Sequence, residues 1–169
     1  MRRSFYFKGG IMWSKIQKKL YNNLPDCLKD KITIQMTAYR FGWRSMDKGH
    51  QCPTIVIKYK GKIILRTYEY RDFLERYYKW PKDRKYDTDR FFKELREYYN
   101  LKHEISSKSD NIYFKMFSLL DKRTGKRTLK RYIEEGFSEK CLNEENFALF
   151  ELFMIRLSEE KMLKKTSYY

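Results

Sequence analysis

The chain has 169 residues, 41% hydrophobic and 18% aromatic, enough to bury a core and to exclude a disordered chain despite 36% charged residues. Its formal net charge of +16 favours polyanionic partners. No stretch approaches the roughly 18 apolar residues of a membrane span. Cys27, Cys52 and Cys141 lack the spacing of a disulfide framework or a zinc site, so the reading is a cytoplasmic protein with no membrane, metal or cofactor partner.

The first element of interest is "KGGI", residues 8–11, directly before Met12. With ordinary codons it can be encoded by a stretch containing AAAGGAGG, a ribosome-binding sequence a few bases ahead of ATG. The expectation is that translation starts at Met12 and that residues 1–11 are a disordered leader. N-terminal sequencing of natively expressed protein should find Met12 or Trp13; finding Arg2 or Ser4 overturns it.

Trp13, Ile16, Leu20 and Leu24 share one helical face, and Pro25 ends that helix. "KITIQMTAYRF" alternates Ile32, Ile34, Met36 and Ala38 with polar residues, the pattern of a half-buried strand. Residues 42–53 read as a loop closed by Pro53, and "TIVIKYKGKIILRTYEY" as a hairpin turning at Lys60-Gly61. A helix over Arg71–Trp80, with Phe73, Leu74, Tyr77 and Tyr78 inside and Pro81 as its stop, completes an α-β-β-β-α unit over residues 12–81. Residues 82–169 read as a helical lobe packed on it in one compact domain. The helices are Thr88–Leu101 capped by Asp87, Ile112–Leu120, one from Asp121 to Gly136, and Glu144–Leu163, with "HEISSKSD" as a linker. Phe147, Leu149, Phe150, Phe153, Met154 and Leu157 mark the last as the most buried element. The fold class is α+β, with a three-stranded antiparallel sheet followed by a C-terminal helical lobe.

The charge is unevenly placed. Residues 12–69 hold 12 basic and 4 acidic side chains, and a second excess lies in "DKRTGKRTLKR". There Lys122, Lys126 and Lys130 recur every four residues, as do Arg123, Arg127 and Arg131, so on one helix they form two adjacent stripes. Basic side chains at a helix N-terminus oppose the macrodipole and suit a bound anion. The same spacing also suits a solvated face with Lys130–Glu134 and Arg131–Glu135 pairs. The first-half candidates for a basic surface are Lys15, Lys18, Lys19, Lys58, Lys60 and Lys62, on an element order shared with double-stranded-RNA-binding domains. Tyr68, Tyr70, Tyr77, Tyr78, Tyr98 and Tyr99 are stacking candidates, although most occupy core positions of helices.

Catalytic patterns are missing: there is no GxSxG, HExxH or GxGxxG. Gly125-Lys126-Arg127-Thr128 ends like a phosphate loop, but Leu120 stands where its first glycine belongs. Glu159-Glu160-Lys161 has an acidic–x–Lys spacing found in some nucleases. His50 and Cys52 lack further metal ligands at a usual spacing, and His103 stands alone.

The stretches "MWSKIQKKLYNNLPDCLKDKITIQMTAYR", "LLDKRTGKRTL" and "LFELFMIRLSEE" resemble a family of small uncharacterised bacterial proteins. The matching residues are Trp13, Ser14, Lys15, Tyr39, Arg40, Asp121, Arg123, Gly125, Lys126, Arg127 and Arg156, with departures at Lys122 and Ile155. The resemblance covers about half the chain and implies no activity. It does group Asp121, Arg123 and Arg127 with Arg156. Arg156, in an otherwise apolar helix, wants a carboxylate, with Asp121 the candidate. The pair reads either as a structural ion pair or as a guanidinium-lined anion pocket. The functional expectation is a non-enzymatic basic protein that binds nucleic acid, RNA before DNA. The alternatives are a protein that meets an acidic protein partner, as in a bacterial defence or competition system, and a nuclease or phosphate-handling enzyme.

Overall fold

A computed structural model describes residues 13–40, 51–67 and 86–163 of the chain. The helix expected over Arg71–Trp80, residues 1–11, His50, and Tyr68, Tyr70, Tyr77 and Tyr78 lie outside the described residues, as does the side chain of Cys52.

Helix α1 (Trp13–Asn23) turns Leu20 inward, with Leu24 just beyond it, while Trp13 and Ile16 pack at the core margin. Pro25 is extended and stops it, and a 3₁₀ turn (Asp26–Leu28) leads into strand β1 (Ile32–Arg40). Strands β2 (Gln51–Tyr59) and β3 (Lys62–Arg66) complete an antiparallel sheet in the order β1-β2-β3. Ile34 faces Ile57 and Ile32 faces Tyr59 across the first pair. Lys60 and Gly61 both take positive φ, 47° and 85°, the left-handed pair that a two-residue hairpin turn needs. Strand β2 begins at Gln51, so Gln51–Pro53 belong to the sheet rather than to the expected loop. The outer edge of β1 is met by α1: Gln17 Nε2 donates to the Ile34 carbonyl (2.7 Å) and the Ile34 N–H donates to Tyr21 Oη (2.8 Å). Those bonds occupy backbone groups that an edge strand would otherwise offer to another chain.

The helical lobe comprises α2 (Thr88–Asn100), α3 (His103–Ser106), α4 (Ile112–Leu120), α5 (Lys126–Glu134), α6 (Phe137–Asn143) and α7 (Phe147–Glu159). Asp87 caps α2 by accepting from the Arg90 N–H, and Asn111 caps α4 by accepting from Tyr113 N–H. Four expectations are corrected. The linker "HEISSKSD" contains the one-turn helix α3. The helix expected from Asp121 starts at Lys126. Residues 137–143, to which no helix was assigned, form α6 after the left-handed Gly136, and the last helix starts at Phe147, after the left-handed Glu145, rather than at Glu144. The most buried element is α4, in which every residue from Tyr113 to Leu120 is buried, whereas Phe147 of α7 is 58% exposed. An apolar surface on all sides makes α4 the central helix of the lobe.

One apolar core joins the two halves. Leu20, Ile34 and Ile57 of the first share it with Phe91, Tyr98, Phe117 and Phe153 of the second. Phe91 and Phe117 meet edge to face at 5.2 Å, as do Phe137 and Phe153 at 4.8 Å. Among the described residues no helix is long and apolar enough to cross a membrane.

Candidate functional site

The turn between α4 and α5 is built by one carboxylate. Asp121, 1% exposed, accepts from the Arg123 backbone N–H (2.8 Å), from Arg123 Nε and Nη2 (3.1 and 2.6 Å) and from Tyr98 Oη (3.0 Å). A carboxylate bonding the amide two residues on closes its own turn in preference to starting a helix. Burial, and then the Asp121 charge, push the Tyr98 phenol far above its ordinary range, so it stays a donor. Gly125 then occupies the N-cap of α5 without a side-chain cap.

A buried polar chain runs behind this turn. His103 Nε2 meets Thr124 Oγ1 at 2.9 Å, and Thr124 Oγ1 meets Ser118 Oγ at 2.9 Å. Ser118 Oγ meets Tyr132 Oη at 3.0 Å, and Tyr132 donates to the Ser107 carbonyl at 2.6 Å. The chain fixes α3, α4 and α5 to one another through groups that are each satisfied. Burial holds the His103 imidazole below its ordinary value, so the ring is neutral at pH 7.

Between α3 and α5 this frame leaves a groove of about 760 Å³. Lys108, Arg127, Lys130 and Arg131 supply its positive charge, Glu104 and Glu134 its negative charge, and His103, Ser107 and Thr128 its neutral polar groups.

The six basic residues of the predicted ridge divide into two sets. Lys122 and Arg123 precede α5, so no continuous stripe forms. Lys122 ties the turn to α1, its N–H donating to the Asn23 carbonyl (2.7 Å) and its Nζ to the Asn22 carbonyl (3.0 Å). Arg123 is committed to Asp121. Arg131 bonds the Ser107 carbonyl (3.3 Å) and lies 3.5 Å from Glu135. Lys126, Arg127 and Lys130 are exposed and form no ion pair among the described residues; the expected Lys130–Glu134 pair is not made.

The first-half lysines form no second site of this kind. Lys60 lies 3.8 Å from Glu159, and Lys62 bonds Glu151 at 2.7 Å, so the hairpin is ion-paired to α7. Lys19 covers the Tyr99 ring at 4.2 Å, Lys58 is half-buried, and Lys15 and Lys18 are exposed on α1. Tyr98 is core and Tyr99 packs against it, so neither is a free stacking platform.

Asp121 and Arg156 do not pair with each other. Arg156, 1% exposed, donates from Nη2 to the Thr124 carbonyl (2.7 Å) and pairs with Glu160 one turn on (3.1 Å), while its Nε and Nη1 have no hydrogen-bond partner. Glu160 also accepts from the Cys27 thiol (3.5 Å), and Glu159 bonds Lys31 and Tyr59. The acidic–x–Lys stretch therefore cross-links the fold and offers no free carboxylate pair. Sequence reasoning missed Ser107, Thr124, Lys115 and the use of His103; isolated polar residues in helices carry no spacing signal. The Arg156–Glu160 pair was readable as an i,i+4 pair. Among the described residues no group of three or more His, Cys, Asp or Glu could hold a metal.

The model of the SF0329 protein family matches residues 12–89 and residues 74–147. The chain belongs to the SF0329 protein family. The SF0329 match takes in the Trp13-Ser14-Lys15 start, the Asp121 turn and all of α5, and stops at the start of α7, before Arg156 and Glu160. Neither the curated proteins nor the solved structures provide a match.

Proposed function

We propose that the protein is a non-enzymatic nucleic-acid-binding protein that engages the phosphate backbone along α5, with RNA as its preferred ligand. The observation that supports this is the set Lys126, Arg127 and Lys130, exposed and in no ion pair among the described residues, beside a groove in which Arg131 is anchored to Ser107 and Glu135. Unpaired lysine and arginine release counterions on meeting phosphates, and an uncapped helix N-terminus adds donors of the same sign. Two neutral groups of the groove, Thr128 and uncharged His103, are suited to a 2′-hydroxyl, which is both donor and acceptor.

Fluorescence anisotropy of a labelled single-stranded RNA across a KCl series tests the proposal. Log K should fall linearly with log salt, and the Lys126→Ala/Arg127→Ala/Lys130→Ala variant should lower that slope by about 2 to 3, near 0.7–0.9 per lost contact. The Lys60→Ala/Lys62→Ala variant should keep the slope, because those lysines already face Glu159 and Glu151. Affinity independent of salt, or a triple variant that binds as the parent does, overturns the reading. Equal competition by polyglutamate would assign the groove to an acidic protein partner instead.

A further inference from the structure

A second cavity, of about 330 Å³, lies on the other side of Lys108, between α4, α6 and the start of α7. Its floor is apolar, with Phe137, Cys141 and Leu149 buried there and Ile112 closing one side, and its rim is charged, with Lys108, Asp110, Glu135, Lys140 and Glu144 exposed. At its head is Lys115, 6% exposed, in the middle of the most apolar helix among the described residues. The carboxylates around it lie elsewhere or are already paired. Asp110 is held by Lys140 at 3.0 Å, Glu135 by Arg131 at 3.5 Å, and Glu144 is exposed at the rim. Lys115 makes no ion pair among the described residues, and it is the buried one of the two lysines here without one, Lys108 being exposed at the rim. Its Nζ makes one long bond to the Ser107 carbonyl (3.3 Å) and lies 4.3 Å over the Tyr132 ring. An ammonium has three donors, and a ring face offsets only part of the cost of taking a charge out of water. Burial accordingly lowers the Lys115 pKa from its ordinary value.

We infer that this cavity is a binding site for a small monocarboxylate with a short apolar tail, its carboxylate paired with Lys115 and its tail against Phe137, Cys141 and Leu149. The volume is in the range of small-molecule sites, and Lys115 is the one charged group at the buried apolar floor, the others standing at the exposed rim. The site is separate from the α5 groove and does not depend on nucleic-acid binding.

Titrating the intact protein with sodium butyrate, and separately with butyramide and butylamine, decides the matter by amide NMR shifts. Butyrate should shift the amides of Cys141 and Leu149 in a saturable way and leave those of Arg127 and Lys130 in place. Butyramide and butylamine should bind about ten- to a hundredfold more weakly, the value of a hydrogen bond to a charged group. Lys115→Met should abolish the preference for butyrate. That variant keeps the Ser107 carbonyl satisfied through Tyr132 (2.6 Å) and Arg131 (3.3 Å), so the fold has no new orphan there. If butyrate and butyramide bind alike, if the shifts map to α5, or if Lys115→Met binds butyrate as the parent does, the inference fails. The comparison of the three ligands on the parent protein stands even if the variant does not fold.

Discussion

Asp121→Ala is expected to lower the stability of the protein by about 3 kcal/mol, read as a drop of roughly 6–12 °C in Tm. The carboxylate is almost wholly buried and carries four bonds that no neighbour can take over. Without it the Tyr98 hydroxyl, inside the core, has no acceptor, and the Arg123 N–H loses its turn partner. A buried donor left unpaired costs about 1–3 kcal/mol. The Arg123 guanidinium is 38% exposed and returns to water, so its share is small. A double-mutant cycle separates the parts. Tyr98→Phe should cost about 1 kcal/mol in the parent and nothing in the Asp121→Ala background. Urea denaturation that finds Asp121→Ala within about 0.5 kcal/mol of the parent would show that the turn does not depend on its carboxylate.

The same turn explains how far the sequence could be read. Spacing of apolar residues located α1, β1, the hairpin and α4, because each buries one face or all faces and the period is carried by side chains that reach the core. The start of α5 was not legible this way. Cations at every fourth position fit a helix from Lys122 onward, but they are solvated or locally paired and do not decide where the backbone coils. Asp121 decides it by closing its own turn. The start of the last helix, expected at Glu144 and found at Phe147, likewise depends on left-handed backbone at Glu145, a residue with no preference for that conformation. The partner of Arg156 was assigned to the wrong carboxylate for a related reason. Both Asp121 and Glu160 could serve on sequence grounds, and only the packing shows Asp121 already filled by Arg123 and Tyr98. Of the cations that form the groove, Arg127, Lys130 and Arg131 were named in advance and Lys108, in the expected linker, was not; which were free and which were anchored emerged only from the fold.

Glu159→Gln is expected to flatten the acid side of the stability profile. Glu159, with a side chain 13% exposed, sits at the end of α7 and takes hydrogen bonds from Lys31 at the start of β1 and from Tyr59 at the end of β2. It is the clamp that holds the last helix to the sheet. The Lys31 ammonium, then the Tyr59 hydroxyl, hold the Glu159 carboxyl below its ordinary value of 4.5. A depressed carboxylate means the unfolded chain binds the proton first as pH falls. The stabilisation from Glu159 is therefore complete above pH 4.5 and is lost as pH falls through the lower folded value. At neutral pH the variant should be less stable by about 1–2 kcal/mol, the worth of the Tyr59 bond to a charged acceptor after screening. Below pH 4.5 the two curves should converge. The Lys31 pKa is raised by the same contact, so the parent should also lose part of its advantage at the alkaline end, as pH rises through the raised Lys31 value. High salt should shrink the neutral difference only partly, because a half-buried pair is screened less than an exposed one. Parallel curves for the parent and the variant from neutral pH to acid, measured by chemical denaturation at each pH, would mean that Glu159 stabilises the junction by packing and not by its charge.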